Sequence, residues 1–221
     1  KMGYCFGQDI FHTIEMLNEK YGKNSFILYG FSQGGMGSAI AAKMFSNELR
    51  KKGIKIEKII IDSPISNIRK RVKQDALKRK VPKFIVSIVT RVFNLRVGNK
   101  LDKLRLSYLL RRIPALIIQT KSDKATTYGM LMEEYNEIAQ NKNVYLKVFE
   151  KGSHTRIYPE YKEEYTRTIN EFLKKGALEN SIIEETEKEL VDKDTEKIAH
   201  NDEKEVLGYD EFSDFDYTEE N

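Results

Sequence analysis

The 221 residues carry 38 Lys+Arg against 34 Asp+Glu, a net charge of +4, with 40% hydrophobic residues and no tryptophan. A chain of this length builds one α/β domain with a sizeable core, and no apolar run reaches the ~18–20 residues of a membrane span. Cys5 is the only cysteine, which excludes an intrachain disulfide and fits a reducing, cytoplasmic compartment; no charged-then-apolar leader opens the chain.

Residues 9–21 read as a helix. Asp9 is placed to cap it, Ile10, Phe11, Ile14, Leu17 and Tyr21 recur at helical spacing, and Gly22 ends it. His12 lies beside that stripe and reads as a packed or surface histidine. A short apolar strand follows at residues 26–29, and then the pattern G-x-S-x-G as Gly30-Phe31-Ser32-Gln33-Gly34. The next helix has a small-residue face of Gly34, Gly35, Gly37, Ser38, Ala39, Ala41 and Ala42, and runs to about Lys51 before Gly53 breaks it. Residues 58–61 form an all-apolar strand after Lys58, ending at Asp62-Ser63-Pro64. Strand, helix and strand on short links imply parallel strands and a right-handed crossover.

Residues 65–112 leave this alternation. They interleave many Lys and Arg with Phe84, Ile85, Val86, Ile88, Val89, Val92, Phe93 and Leu95. Two or three helices are expected, forming a cap over the strand ends. This cap is either a solvated basic face packed on the core or a lid that favours anionic or acyl-bearing substrates or touches an anionic membrane. Residues 113–119 return to a buried strand ending in Thr120-Lys121-Ser122-Asp123. A helix is expected at residues 126–140, a strand at 144–149, then Gly152-Ser153-His154, and a helix at about 159–175. Residues 1–177 hold 34 of the 38 Lys+Arg and half of the acids, so they carry +17, while residues 178–221 carry −13. That acidic tail is expected to be helical in part, at about 181–199, and otherwise disordered.

Ser32, Asp123 and His154 each fall just past the carboxyl end of an expected parallel strand, the edge where open α/β sheets build their sites. A serine hydroxyl attacks poorly unless an imidazole takes its proton, and the imidazole needs a carboxylate to fix its tautomer. The backbone N–H of Gln33, opening the helix behind Ser32, is placed to meet an oxyanion. Asp62 also ends a strand and is the alternative acid. The plainer readings are a glycine turn without chemistry, a turn aspartate and a loop histidine. Three scattered histidines and one cysteine offer no metal-ligand spacing, and there is no phosphate-loop or dinucleotide fingerprint, so no metal or cofactor is expected.

Residues 7–175 resemble the C-terminal two-thirds of an α/β-hydrolase, most of all the bacterial serine hydrolases grouped with serine aminopeptidases and monoacylglycerol lipases. The matching pieces are Gly30-Phe31-Ser32-Gln33-Gly34-Gly35, Lys121-Ser122-Asp123, and Gly152-Ser153-His154 followed by a Tyr-rich helix. The elbow is also similar to that of acyl-protein thioesterases and carboxylesterases. The resemblance implies a partial α/β-hydrolase fold, a parallel sheet flanked by helices with a helical cap insert. It implies Ser32 as nucleophile, His154 as base and Asp123 as its orienting acid, cleaving an ester, thioester or amide through an acyl-enzyme. Relatives carry further strands and a His-Gly oxyanion loop upstream of the nucleophile. Here only 31 residues precede Ser32, so the resemblance implies a piece of a longer hydrolase whose elbow strand lies at the sheet edge. The alternative is a non-catalytic or truncated hydrolase-fold binding module. The expected partner is a small amphiphilic or anionic substrate, with peripheral contact to anionic membrane and no specific nucleic acid, since the basic residues sit in no nucleic-acid-binding motif.

Overall fold

The computed structural model describes residues 4–98 and 100–175. The elements run α1 (Tyr4–Tyr21), β1 (Ser25–Phe31), α2 (Gln33–Met44), α3 (Ser46–Lys51), β2 (Lys55–Asp62), α4 (Ile68–Lys78), α5 (Lys83–Arg96), a 3-10 turn (Leu101–Lys103), α6 (Leu106–Leu109), β3 (Ala115–Thr120), α7 (Tyr128–Ile138), β4 (Val144–Phe149) and α8 (Lys162–Lys175). The four strands pair in parallel in the order β1-β2-β3-β4, so chain order and sheet order coincide. The expected parallel sheet flanked by helices is what forms. The helix expected at 181–199 and the acidic tail lie outside the described residues.

Alternation along the strands divides the core into two layers. Ile59, Ile61, Ala115, Ile117, Val144 and Leu146 face Met36 and Ile40 of α2 and Leu131, Tyr135 and Ile138 of α7. The opposite face takes α8, where Phe172 meets Tyr145, and Tyr161 and Tyr165 meet Phe149. Lys58 Nζ of β2 donates to the carbonyls of Phe172 (3.2 Å) and Leu173 (2.5 Å), placing a cation at the negative end of α8. β3 is buried at every position, the expectation for a central parallel strand covered on both sides.

β1 differs. Phe26 and Leu28 pack toward Phe11, Ile14, Leu49 and Ile54, but Ile27, Tyr29 and Phe31 on the other face stay 44–47% exposed. Among the described residues nothing pairs with the outer edge of β1. The sheet edge expected at the elbow strand is present.

Three expectations change. α1 begins at Tyr4, so Asp9 lies inside it rather than capping it, and its carbonyl accepts from the Thr13 hydroxyl. The reason is Gly7, which sits so close to α2 that an added Cβ would lie 2.3 Å from Ile40 Cγ2; that close packing carries the helix upstream. The helix behind the elbow is two helices, α2 and α3, divided at Phe45. The insert is not one cap: Ile65, Ile68 and Val72 at its start join the main core, while no residue of α5 is buried. Val97, Leu101, Leu104, Leu106, Leu109 and Leu110 fold back into the main core, because these leucines sit next to the face of α2 and α7 that needs covering. No helix of the described residues is long and apolar enough to cross a membrane.

Candidate active site

β1 ends at Phe31 and α2 begins at Gln33, leaving Ser32 alone to make the reversal. It does so at φ 50°, ψ −115°, a conformation that costs a non-glycine residue on the order of 1–3 kcal/mol. The Ser32 N–H donates to the Asp62 carbonyl at 2.8 Å and ties the turn to β2. The flanking glycines have unequal duties. A Cβ on Gly30 would meet the Gly34 and Gly35 backbone at 2.5 Å, and one on Gly35 would meet Ile61 Cγ2 at 2.4 Å, whereas Gly34 has nothing within 4 Å. The tight positions are Gly30 and Gly35; Gly34, the last residue of the five-residue pattern, is open.

The loops after β3 and β4 bring the other two groups to this turn. His154 Nε2 lies 2.9 Å from Ser32 Oγ, and His154 Nδ1 lies 2.8 Å from Asp123 Oδ2. Facing a carboxylate, Nδ1 carries the proton, which leaves the Nε2 lone pair to accept the serine hydroxyl. Asp123 is 3% exposed. Its Oδ1 accepts from the N–H groups of Ala125 (2.7 Å) and Thr126 (3.0 Å), and its Oδ2 from the Thr126 hydroxyl (2.8 Å). Burial alone would raise its pKa; the hydrogen bonds from His154, Thr126 and Ala125 outweigh that and hold the carboxyl below its ordinary value. The Ser122 hydroxyl donates to the Gly152 carbonyl at 2.7 Å and clamps the Asp123 loop to the His154 loop. Gln33 supplies the first N–H of α2, one of the groups with no intrahelical acceptor.

Asp62, the alternative acid, goes elsewhere. It is 1% exposed and none of its hydrogen bonds reaches His154. Tyr165 donates to Oδ2 at 2.5 Å and Ser63 to Oδ1 at 2.7 Å, while Tyr29 donates to the Tyr165 oxygen. Burial pushes the Asp62 carboxyl up, against the opposing pull of Tyr165 and Ser63. Ser63 in turn accepts from the Thr155 N–H at 3.2 Å. Asp62 therefore supports the backbone beside His154, and the carboxylate that meets His154 Nδ1 is that of Asp123.

Ser32, Ser63 and Thr155 are three of the four non-glycine residues at positive φ among those described. Strain is thus concentrated at this edge. Thr126, Ser63, Tyr29 and Tyr165 were not singled out by sequence reasoning. Thr126 carried a signal, because an aspartate followed three residues later by threonine is the spacing of a side-chain-to-backbone turn. Tyr29 and Tyr165 carried none, because their partners are remote in the chain.

No family model and no curated protein matches the chain. Solved structures do. The esterase Pf2001 of Pyrococcus furiosus is 20% identical with a TM-score of 0.53, covering 76% of this chain and 60% of its own. The thermophilic esterase Est2 of Thermogutta terrifontis, solved with butyrate bound, is 16% identical with a TM-score of 0.56, covering 78% and 66%. Esterase B of Lactobacillus rhamnosis is 16% identical with a TM-score of 0.55, covering 80% and 64%. This chain thus spans about 60% of the length of the Pyrococcus furiosus esterase it matches. At these identities the likeness is one of fold, and the chain has a partial α/β-hydrolase fold with a helical insert.

Proposed function

We propose that this chain is a serine hydrolase that cleaves an ester, thioester or amide through an acyl-enzyme on Ser32. The observation that carries the reading is the continuous line from Ser32 Oγ through His154 to a buried, ionised Asp123, with spacings of 2.9 and 2.8 Å.

Each residue has one task. Ser32 Oγ attacks the substrate carbonyl carbon as its proton passes to His154 Nε2. Asp123 holds the Nδ1–H and offsets the imidazolium charge that results. The carbonyl oxygen becomes an oxyanion facing the Gln33 N–H, an interaction worth on the order of 10²–10³ in rate for one such donor. Collapse of the intermediate breaks the bond to the leaving group, which takes the proton from Nε2, and the acyl group stays on Ser32. A water molecule then repeats the sequence and releases the acid. That the structural relatives are esterases favours an ester as the substrate. The basic and apolar insert favours one that is amphiphilic or anionic.

Labelling with a fluorophosphonate, which reacts with activated serines, tests this. The wild-type chain should label, Ser32→Ala should not, and His154→Ala should label at a rate lower by about 10³-fold or more. A folded wild type that stays unlabelled would instead support the reading as a binding module.

A further inference from the structure

The site at the strand ends leaves α5 unused. α5 is fourteen residues long and none of them is buried. Phe84 (66%), Ile88 (58%), Leu95 (63%), Ile85, Val89 and Val92 are all exposed. At about 100° per residue these six fall on one arc of less than half the helix circumference. The opposite side, with Val86, Thr90, Phe93 and Asn94 half-buried, is the side turned to the body. A soluble surface helix is expected to do the reverse and bury its apolar stripe.

Charge surrounds this arc. Residues 69–96 contain ten Lys and Arg and a single acid, Asp75, and Arg71 already pairs with that acid at 3.0 Å. On the side of α5 away from the arc, α4 and α5 enclose a cavity of about 640 Å³ whose walls include Lys73 and Lys83 with Leu77 and Val86. Arg69, at the same cavity, is paired with Asp102. Lys73, Lys83 and Arg91 have no carboxylate partner among the described residues.

We infer that the α4–α5 pair docks on an anionic lipid surface, with the Phe84–Ile88–Leu95 arc at the acyl boundary and the exposed Arg91 and Arg96 at its margins facing lipid phosphates. The pattern is that of a helix lying in the interface plane, apolar on one side and cationic at its margins. Fourteen residues span about 21 Å, too short to cross the bilayer. Charge decides against a second copy of the chain as the occupant, because it would bring ten cations onto ten. The convex arc offers no hydrogen-bonding group, which suits a deformable acyl layer better than a shaped protein groove. The inference is independent of the proposed hydrolysis, since no triad residue takes part.

The test is co-sedimentation of the purified chain with phosphatidylcholine vesicles, with and without phosphatidylglycerol, at low and high salt. The wild type should pellet with the anionic vesicles alone and be released by salt. Ile88→Glu should lower that affinity by at least about tenfold. Each of Arg91→Gln and Arg96→Gln should lower it by about fivefold. All three variants should keep wild-type melting temperature and fluorophosphonate labelling, which separates this result from failure of the serine reading. Equal binding to neutral vesicles, pelleting untouched by Ile88→Glu, or a dimer dispersed by Ile88→Glu without any vesicle binding would each overturn it.

Discussion

At the carboxyl ends of the strands, polar side chains go inside and find partners. Asp123 accepts four hydrogen bonds, and Asp62, buried still deeper, has Tyr165 and Ser63. Along α5 no side chain is buried, and Lys83 and Arg91 stand without carboxylate partners among the described residues. One region is over-determined and the other has surplus surface. The difference teaches where the chain needs its own packing and where it leaves an exposed face for something else to cover. The two regions are not separate bodies, because the Arg71 guanidinium of α4 donates to the Ala125 carbonyl in the Asp123 loop.

The sharpest way to break this contrast is inside the first region. Asp123→Asn should slow fluorophosphonate labelling on the order of 10⁴-fold by supporting the wrong imidazole tautomer, whereas Asp62→Asn should cost less than about tenfold. Equal losses would return Asp62 to the acid role. Stability compares the two regions directly. Ile117→Ala, in the fully buried β3, should cost about 2–5 kcal/mol in urea unfolding, and Ile88→Ala no more than about 0.5 kcal/mol. A large cost at Ile88 would mean that α5 is packed against something after all. The elbow gives a finer comparison. Gly35→Ala should cost about 1–3 kcal/mol by forcing Ile61 aside, while Gly34→Ala should be within about 0.5 kcal/mol of wild type.

The smallest effect is in pH. Asp123 has a lowered pKa when folded, so its stabilisation is present above the ordinary aspartate value and is lost as pH falls through the lowered one. Asp62 has a raised pKa, so its contribution is full below the ordinary value and is lost as pH rises through the raised one. The deficit of Asp123→Asn should therefore shrink toward acid. Asp62→Asn should gain on wild type as pH rises toward neutral. Unfolding curves across acid to neutral pH check both signs, and parallel curves would refute them.

The strands, and the meeting of the three candidate residues at their ends, were legible because parallel strands are continuous apolar runs, and a one-residue strand-to-helix turn needs small residues in a fixed local pattern. Residues 144–149 form β4 as expected from sequence alone. Less legible was anything decided across the chain. Nothing local says that Val97 to Leu110 would return to the core while Phe84 to Leu95 stayed out, since both read as helical apolar stretches. Gly7 against Ile40 and Glu134 against Ser107 (2.6 Å) and Asn67 (2.8 Å) are likewise meetings of distant segments. The support under His154 was hidden in part for the same reason, because Tyr165 reaches Asp62, the partner of Ser63, from a distant helix.

A sheet whose spatial order repeats its chain order also has a schedule. Each strand finds its neighbour through one crossover, so a chain emerging from synthesis can add β1, β2, β3 and β4 in turn. Ser32 arrives with β1 and His154 after β4. On the proposed hydrolase reading the serine has no base until β4 docks, so a partly assembled chain is chemically silent. Reactivity toward a fluorophosphonate should then be the last property to return on refolding, a clock for the closing step of assembly.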